Sequence, residues 1–390
     1  MNQKDIDNAL KDLSNCIISD KLKDVKVVLI RNKVMKRDFP ERYLGGFAAA
    51  CHVKSKIFDS ALRIWTKKID NIKDRTKKIS KYLETVKTQK KYFYTYEYID
   101  NAMRIGGEIV DVILMDWISG QTLYKFIESN LDKPDNLLKV ADNCMELFKW
   151  MRANKISHGD LQHGNIIVDS KFNVHLCDYD SVCVPGTEGM NIVTPGLTGY
   201  QHPLRFTEKN QKASFSDDFF SEVVIYAGLL TLASNPNLWN HEDSNDPYLL
   251  LSEFDIKAIR EGKIPSIIEK INKIQDKKVQ GCNQLLLQNI KCKKLSEIKT
   301  FDEVINTDVA TKKEPKSTVV VNQPKATKED KNVDTKIPAK SPKQSKQHQK
   351  VTVVMPSNLG VCPHCKHPLN ANDYLHCHYC GQKLSKPFNL

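Results

Sequence analysis

The sequence predicts an α+β fold in two lobes, followed by a linker and a small cysteine module. Three observations carry this reading. Short β-rich runs dominate residues 43–117, helical patterns dominate from 120 to about 306, and two Cys-x-x-Cys pairs stand near the C-terminus. A block of strands followed by a block of helices is the order of an α+β class.

Residues 5–22 place apolar positions at helical spacing, and 25–30 form a short β-branched run. Residues 47–53 and 57–65 read as two strands joined by the polar turn Lys54-Ser55-Lys56. A basic helix is predicted over 67–86, with Ile69, Ile72, Ile79 and Leu83 near helical spacing. Residues 92–99 and 108–117 read as another strand pair, with Gly106-Gly107 near the turn. Beyond Gly120, residues 137–154 make a strong amphipathic helix. Ile166-Ile167-Val168 and Val174-His175-Leu176 then make two short strands.

The longest apolar run, 223–233, is far short of the roughly 20 residues that span a bilayer, so it reads as a buried helix. The start of the chain, Met1-Asn2-Gln3-Lys4-Asp5, is polar and acidic where a secretory signal is basic and then apolar. No membrane association and a cytoplasmic location are expected.

The net charge of +12 is concentrated in one place. Residues 307–358 hold eleven lysines against five acidic residues, so half of the excess sits in a stretch without periodicity. Such a stretch reads as a disordered, solvated linker, able to bind nucleic acid or other acidic partners weakly by counterion release. The charge by itself does not decide function.

Phosphoryl transfer needs a carboxylate at the attacking hydroxyl, oxygen ligands for Mg²⁺ and positive charge on the nucleotide phosphates. Asp160, in His158-Gly159-Asp160-Leu161, suits the first role on a loop between the long helix and the short strand pair. Asn165, five residues on, suits a metal ligand of the same loop, and Asp178, thirteen residues further, directly follows the second short strand. A hairpin of the two strands would set these loops side by side.

On these residues the segment 38–306 resembles the Hanks-type, eukaryotic-like protein kinases of bacteria. His158-Gly159-Asp160…Asn165 matches the H-R-D-L-x-x-x-N loop, and Cys177-Asp178-Tyr179-Asp180 matches the D-F-G region. Ile113-Leu114-Met115-Asp116-Trp117 resembles the strand that enters the hinge. Tyr200-Gln201-His202-Pro203 stands at the A-P-E segment, and Asp218-Phe219-Phe220-Ser221 resembles the start of the central helix of the second lobe. The resemblance implies a two-lobed protein-kinase-like fold, with an N-lobe of 38–116 and a C-lobe of 117–306 behind an N-terminal extension of 1–37. It implies ATP under a loop containing Gly45, Gly46 and Phe47, with Met115, Asp116 and Trp117 at the adenine end. Arg63 would lie on the phosphates, Asn165 and Asp178 on Mg²⁺, and Asp160 on the hydroxyl of a protein substrate.

The chain departs from the family in ways that bear on chemistry. Ala48 replaces the last glycine of the phosphate loop, and Arg63 stands in the V-A-I-K lysine position, where a planar fork is not equivalent to an ammonium. Glu84, near the end of the following helix, is the best acidic candidate to pair with that cation, and Asp74 lies too early. Gln162 replaces the usual lysine of serine/threonine kinases, and Gly159 replaces the arginine that reads loop phosphorylation. Three readings therefore stand. The first is a protein serine/threonine kinase, the second a pseudokinase scaffold that binds nucleotide without turnover. The third is a small-molecule kinase, whose His-Gly-Asp loop is similar.

Near the C-terminus, Cys362-Pro363-His364-Cys365 and Cys377-His378-Tyr379-Cys380 are separated by eleven residues. Two such pairs set four thiolates at a tetrahedral centre, so residues 359–385 resemble a zinc ribbon with structural Zn²⁺ on Cys362, Cys365, Cys377 and Cys380. A closed site of this type implies a docking module for a protein partner. The other seven cysteines lack pairing spacing and read as small hydrophobes.

Overall fold

The structure, a computed structural model, describes residues 3–32, 36–44, 48–67, 69, 71–86, 90–207, 211–239 and 248–301. The chain divides into two compact units, 1–310 and 311–390, and every described residue belongs to the first. The expected phosphate loop Gly45, Gly46 and Phe47, the linker, and the four cysteines of the zinc module lie outside the described residues.

The chain opens with helices α1 (Gln3–Lys11) and α2 (Leu13–Cys16) and strands β1 (Lys26–Val27) and β2 (Leu29–Arg31). Then come β3 (Asp38–Pro40), β4 (Arg42–Leu44), β5 (Ala48–Lys54), β6 (Asp59–Trp65), α3 (Ile72–Thr85), β7 (Tyr96–Ile105) and β8 (Glu108–Asp116). The main sheet runs β1-β5-β6-β8-β7, with β4 also paired to β5, and every pairing is antiparallel. Strands β7 and β8 turn through Gly106 (φ 58°) and Gly107 (φ 87°), where two consecutive left-handed residues match the twist of a tight hairpin.

Alternation along the strands gives the sheet two distinct faces. One face carries Ala49, Cys51, Val53, Leu62, Ile64 and Val112, which pack with Ile6, Ala9, Leu10 and Leu13 into a closed outer core. The N-terminal helices thus cover one side of the sheet. Register places Ala50 opposite Arg63 and Arg63 opposite Ile113, and likewise His52 opposite Ala61 and Ala61 opposite Met115. These residues make up the other face.

A mixed α and β composition agrees with the expected class, and the helices follow the sheet as the sequence predicts. They are α4 (Leu123–Glu128), entered through β9 (Gln121–Thr122), and α5 (Pro134–Ala153); strands β10 (Ile166–Val168) and β11 (Val174–Leu176) follow. Helices α6 (Phe219–Ser234), α7 (Glu253–Arg260), α8 (Ser266–Ile271) and α9 (Lys277–Ile290) complete the described elements. Pro134 opens α5, where its fixed φ suits a first turn and its missing N–H costs nothing. Helix α6 is apolar on all sides and accordingly runs through the interior, with Val223, Ile225, Ala227, Leu229 and Leu232 fully buried. It packs against α5 and α9 in a core that continues into Ile79, Ile113 and Met115 beside the sheet. Among the described residues no helix is long and apolar enough to cross a membrane.

Candidate active site

Strands β10 and β11 pair antiparallel, Ile166 opposite Leu176, so the residues just outside the hairpin meet. Cys177 N–H donates to the Asn165 carbonyl at 3.0 Å. This joins the loop of 158–165 to the loop of 177–181, as the hairpin reading of the sequence requires.

The first loop is held from below by α6. The carboxylate of Asp218, just before that helix, accepts the backbone N–H of Gly159 at 2.9 Å and that of His158. Asp218 is 1% exposed, and its buried oxygens cover two amides that would otherwise be orphaned. His158 Nε2 hydrogen-bonds the Cys177 carbonyl at 2.8 Å and ties the first loop to the second. Within the loop, Asn165 Nδ2 donates to the Asp160 carbonyl at 2.8 Å and Gln162 Oε1 accepts from Gly164 N–H at 2.6 Å. The amide nitrogen of Asn165 is thereby engaged with the loop's own backbone.

Asp160 Oδ1 accepts the backbone N–H of Leu197 at 3.1 Å. That approach depends on Gly196 (φ +86°), where a Cβ would lie 2.7 Å from Gln201 and 3.1 Å from the Asp160 carboxylate. Burial, reinforced by the charges of Asp178 and Asp218, pushes the Asp160 carboxyl up to about 6.

Asp178 adopts a left-handed backbone (φ 64°, ψ 74°), a conformation that costs a non-glycine residue energy and clusters at functional sites. The turn is pinned by Tyr179, which is fully buried. Its hydroxyl donates to the Leu176 carbonyl at 2.8 Å and accepts Tyr94 N–H at 2.9 Å.

From the sheet, Arg63 reaches this turn. Its Nη1 lies 2.8 Å from Asp178 Oδ1, and its Nη2 pairs with Asp180 Oδ2. Arg63 and Asp180 are nearly buried, whereas the Asp178 side chain keeps 44% of its exposure. Burial opposes charge at Arg63, but the two carboxylates hold it firmly protonated. Although burial opposes it, Arg63 also holds Asp178 below the usual carboxylate range, while burial pushes Asp180 upward against the pull of the same guanidinium. One guanidinium fork thus bridges two carboxylates two residues apart.

The pairing of that cation differs from the sequence expectation. Glu84 is exposed, and Asp74 is exposed and pairs with Lys78 at 2.8 Å. The buried face of α3 carries Arg75, Thr76, Ile79 and Leu83. Arg75 Nη1 donates to the Asn191 carbonyl at 2.9 Å, and its Nη2 to those of Ser181 and Val182 at 3.2 Å each. The helix offers this site a cation, not an acid.

At the other end of the same sheet face, Met115 is buried beside Ala61. Asp116 pairs with Lys91 at 3.3 Å. Trp117 stacks on His52, centroids 3.7 Å apart and planes within 3°, and its backbone N–H donates to the Asp59 carbonyl at 2.9 Å. His52 is gripped between Glu41 at 2.6 Å and Asp59 at 2.5 Å. Between this stack and Arg63 the register of β5 and β6 sets the small residues Ala50 and Ala61.

The predicted residues Arg63, Asp160, Asn165 and Asp178 therefore converge, with Met115, Asp116 and Trp117 on the strand end beyond Ala61. Sequence reasoning quoted Asp180 and Asp218 within motifs without giving either a role in the site, and it missed Arg75 and the N–H of Leu197. Asp180 and Arg75 each left a further signal. The Asp-Tyr-Asp doublet sets a second carboxylate beside the first, and Arg75 interrupts the apolar stripe between Ile72 and Ile79. Among the described residues no group of three or more His, Cys, Asp or Glu is arranged to hold a metal ion. No protein-family model and no curated protein matches this chain.

Proposed function

We propose that residues 38–306 form a two-lobed, protein-kinase-like phosphotransferase that moves the γ-phosphate of ATP to a hydroxyl, with a protein serine or threonine as the acceptor class. The observation that carries this reading is the convergence of Asp160, Asn165 and Asp178 on two loops joined by hydrogen bonds, facing a buried cation from the sheet.

The donor set fits magnesium. Mg²⁺ keeps several waters and takes one or two protein oxygens plus substrate phosphates, so Asp178 and the side-chain oxygen of Asn165 suffice without a cage of three acids. The face suits a nucleotide as well. Ala50 and Ala61 put little side-chain bulk beside Arg63 and the His52–Trp117 stack, and Arg63 carries the charge that phosphates need. Magnesium ATP, when bound, supplies the phosphoryl group and screens its charge.

The chain's own residues supply position and proton handling. Asp160 is fixed through Oδ1 by Leu197 N–H, which leaves Oδ2 for the acceptor hydroxyl. Its carboxyl, raised to about 6, is ionised at neutral pH yet basic enough to take a proton. Asn165 ties the Asp160 backbone to the metal-facing oxygen, so base and metal move as one unit.

Purified chain with radiolabelled Mg-ATP should phosphorylate itself or a protein in a lysate, and Asp160→Ala and Asp178→Ala should abolish the signal. Label transfer that is equal in wild type and Asp160→Ala would overturn the proposal. Label that depends on an added metabolite would move the acceptor to the small-molecule class. A pseudokinase is the second reading, and one observation favours it: Arg63 already occupies an oxygen of Asp178, the carboxylate assigned to the metal. Nucleotide binding without turnover, in wild type and in Arg63→Lys alike, would establish that reading.

A further inference from the structure

We infer that Asp180 is the positioning residue for Arg63 in this site, and that helix α3 controls the site through Arg75 instead of through a carboxylate. The inference rests on the phosphotransferase reading and specifies how its phosphate-binding cation is held.

A nearly buried guanidinium needs hydrogen-bonded counter-charge, because leaving it unpaired costs far more than the pair gains. Two carboxylates meet Arg63, and they differ. Asp178 is partly solvated and is the residue a metal would claim; Asp180 is 6% exposed and spends Oδ2 on Arg63 alone. When a metal draws on Asp178, Asp180 is the acid that keeps the guanidinium in place. Neither acid of α3 is available, since Asp74 pairs outward with Lys78 and Glu84 is exposed.

Helix α3 nonetheless touches the same turn. Arg75 is 3% exposed and spends its terminal nitrogens on three backbone carbonyls, two of which, Ser181 and Val182, directly follow Asp180. The third, Asn191, lies further along the same segment. A guanidinium bound only to carbonyls is an expensive way to fix a loop, and burial indeed lowers the Arg75 pKa. Its effect is a mechanical link: α3 holds 181–182, that backbone carries Asp180, and Asp180 sets Arg63. A displacement of α3 withdraws the counter-ion without breaking any direct bond between the helix and Arg63.

The test uses the full chain and steady-state Mg-ATP kinetics. Asp180→Asn should raise KM for ATP at least tenfold with kcat changed less than threefold, and Asp180→Glu should restore most of the loss. Glu84→Gln and Asp74→Asn should match wild type in both constants. A KM effect from Glu84→Gln, or none from Asp180→Asn, overturns the inference.

A double-mutant cycle in urea reads the pair without nucleotide. Adding Arg63→Met to Asp180→Asn should shift the unfolding midpoint by less than half the shift it causes in wild type, and strictly additive shifts overturn the pairing. If wild type neither binds nor turns over Mg-ATP, the phosphotransferase reading fails by itself while the cycle still decides the pair. For the helix, Arg75→Lys keeps the charge but loses the planar fork. Amide exchange across 181–192 should then accelerate at least tenfold, and unchanged exchange there overturns the role of Arg75.

Discussion

Gly159 lies directly against the backbone of Ser181: a Cβ on Gly159 would stand 2.4 Å from the Ser181 carbonyl oxygen. Its φ of +78° is also one that L residues rarely adopt. Position 159 is therefore closed to a larger side chain by the loop after Asp180. Gly159→Ala should destabilise the fold by about 3 kcal/mol, roughly a third from backbone conformation and the rest from displacing the 181 backbone. Urea denaturation measures it, and a loss below about 1 kcal/mol would show that the contact gives way easily.

Asp160 should govern the acid side of activity. A base with a carboxyl raised to about 6 loses its ionised form below that pH, so kcat/KM should fall tenfold per unit there and level off above about 7. A pH profile without an inflection between 5 and 7 would contradict the assignment.

The same shift has a stability consequence of opposite sense. The folded-state value lies above the unfolded value near 3.8, so the native state binds more protons between the two, and stability falls as pH rises through that window. Above pH 7 the ionised carboxylate is a fixed cost. Asp160→Asn should then unfold about 1–2 kcal/mol later than wild type at pH 7.5 and no later at pH 4, while losing turnover by about a hundredfold or more.

His202 predicts an acid weakness elsewhere. It is 1% exposed, and burial, with Arg260 alongside at 3.2 Å, lowers it to about 4. The folded state thus binds fewer protons than the unfolded one between about 4 and 6.5, so stability is complete above 6.5 and is lost as pH falls to 4. The loss should approach about 3 kcal/mol in wild type and be clearly smaller in His202→Gln, measured as the unfolding midpoint against pH.

The C-terminal module should carry one zinc per chain. Cys362→Ser or Cys377→Ser should release it, as metal analysis and a thiolate-sensitive chelator assay would register, because a tetrahedral site loses closure with any ligand. Retention of a full equivalent in both variants would exclude the four-cysteine centre.

The strand and helix order was legible because period and burial agree: β5, β6, α3, α5 and α6 fall where alternation and helical spacing put them. The convergence of Asp160, Asn165 and Asp178 was legible too, since a three-residue hairpin fixes the distance between its flanks. What escaped were contacts made by backbone or across long separations. Leu197 N–H on Asp160 and the three carbonyls that Arg75 meets leave no pattern, because any residue provides those backbone atoms; only the arginine itself, breaking the apolar stripe of α3, is visible. The partner of Arg63 escaped for another reason. Helix α3 carries acids, and only its rotation, set by Ile79 and Leu83 entering the core, reveals that they face outward.

The helices that cover the outer face of the sheet set the order in which the protein can be made. Ile6, Leu10 and Leu13 bury against strands that include β7 and β8, and Ile18 N–H bonds the Ala102 carbonyl at 2.9 Å. The segment 6–13 therefore finds part of its cover on residues 49–64 and completes its packing only when residues near 99–112 have been made. At typical synthesis rates of about 5–20 residues per second the interval from residue 13 to residue 112 lasts roughly 5–20 s, during which the amphipathic helix is only partly covered. Slow translation of the codons between residues 13 and 112 should accordingly lower the yield of native protein unless a holdase chaperone shields that helix.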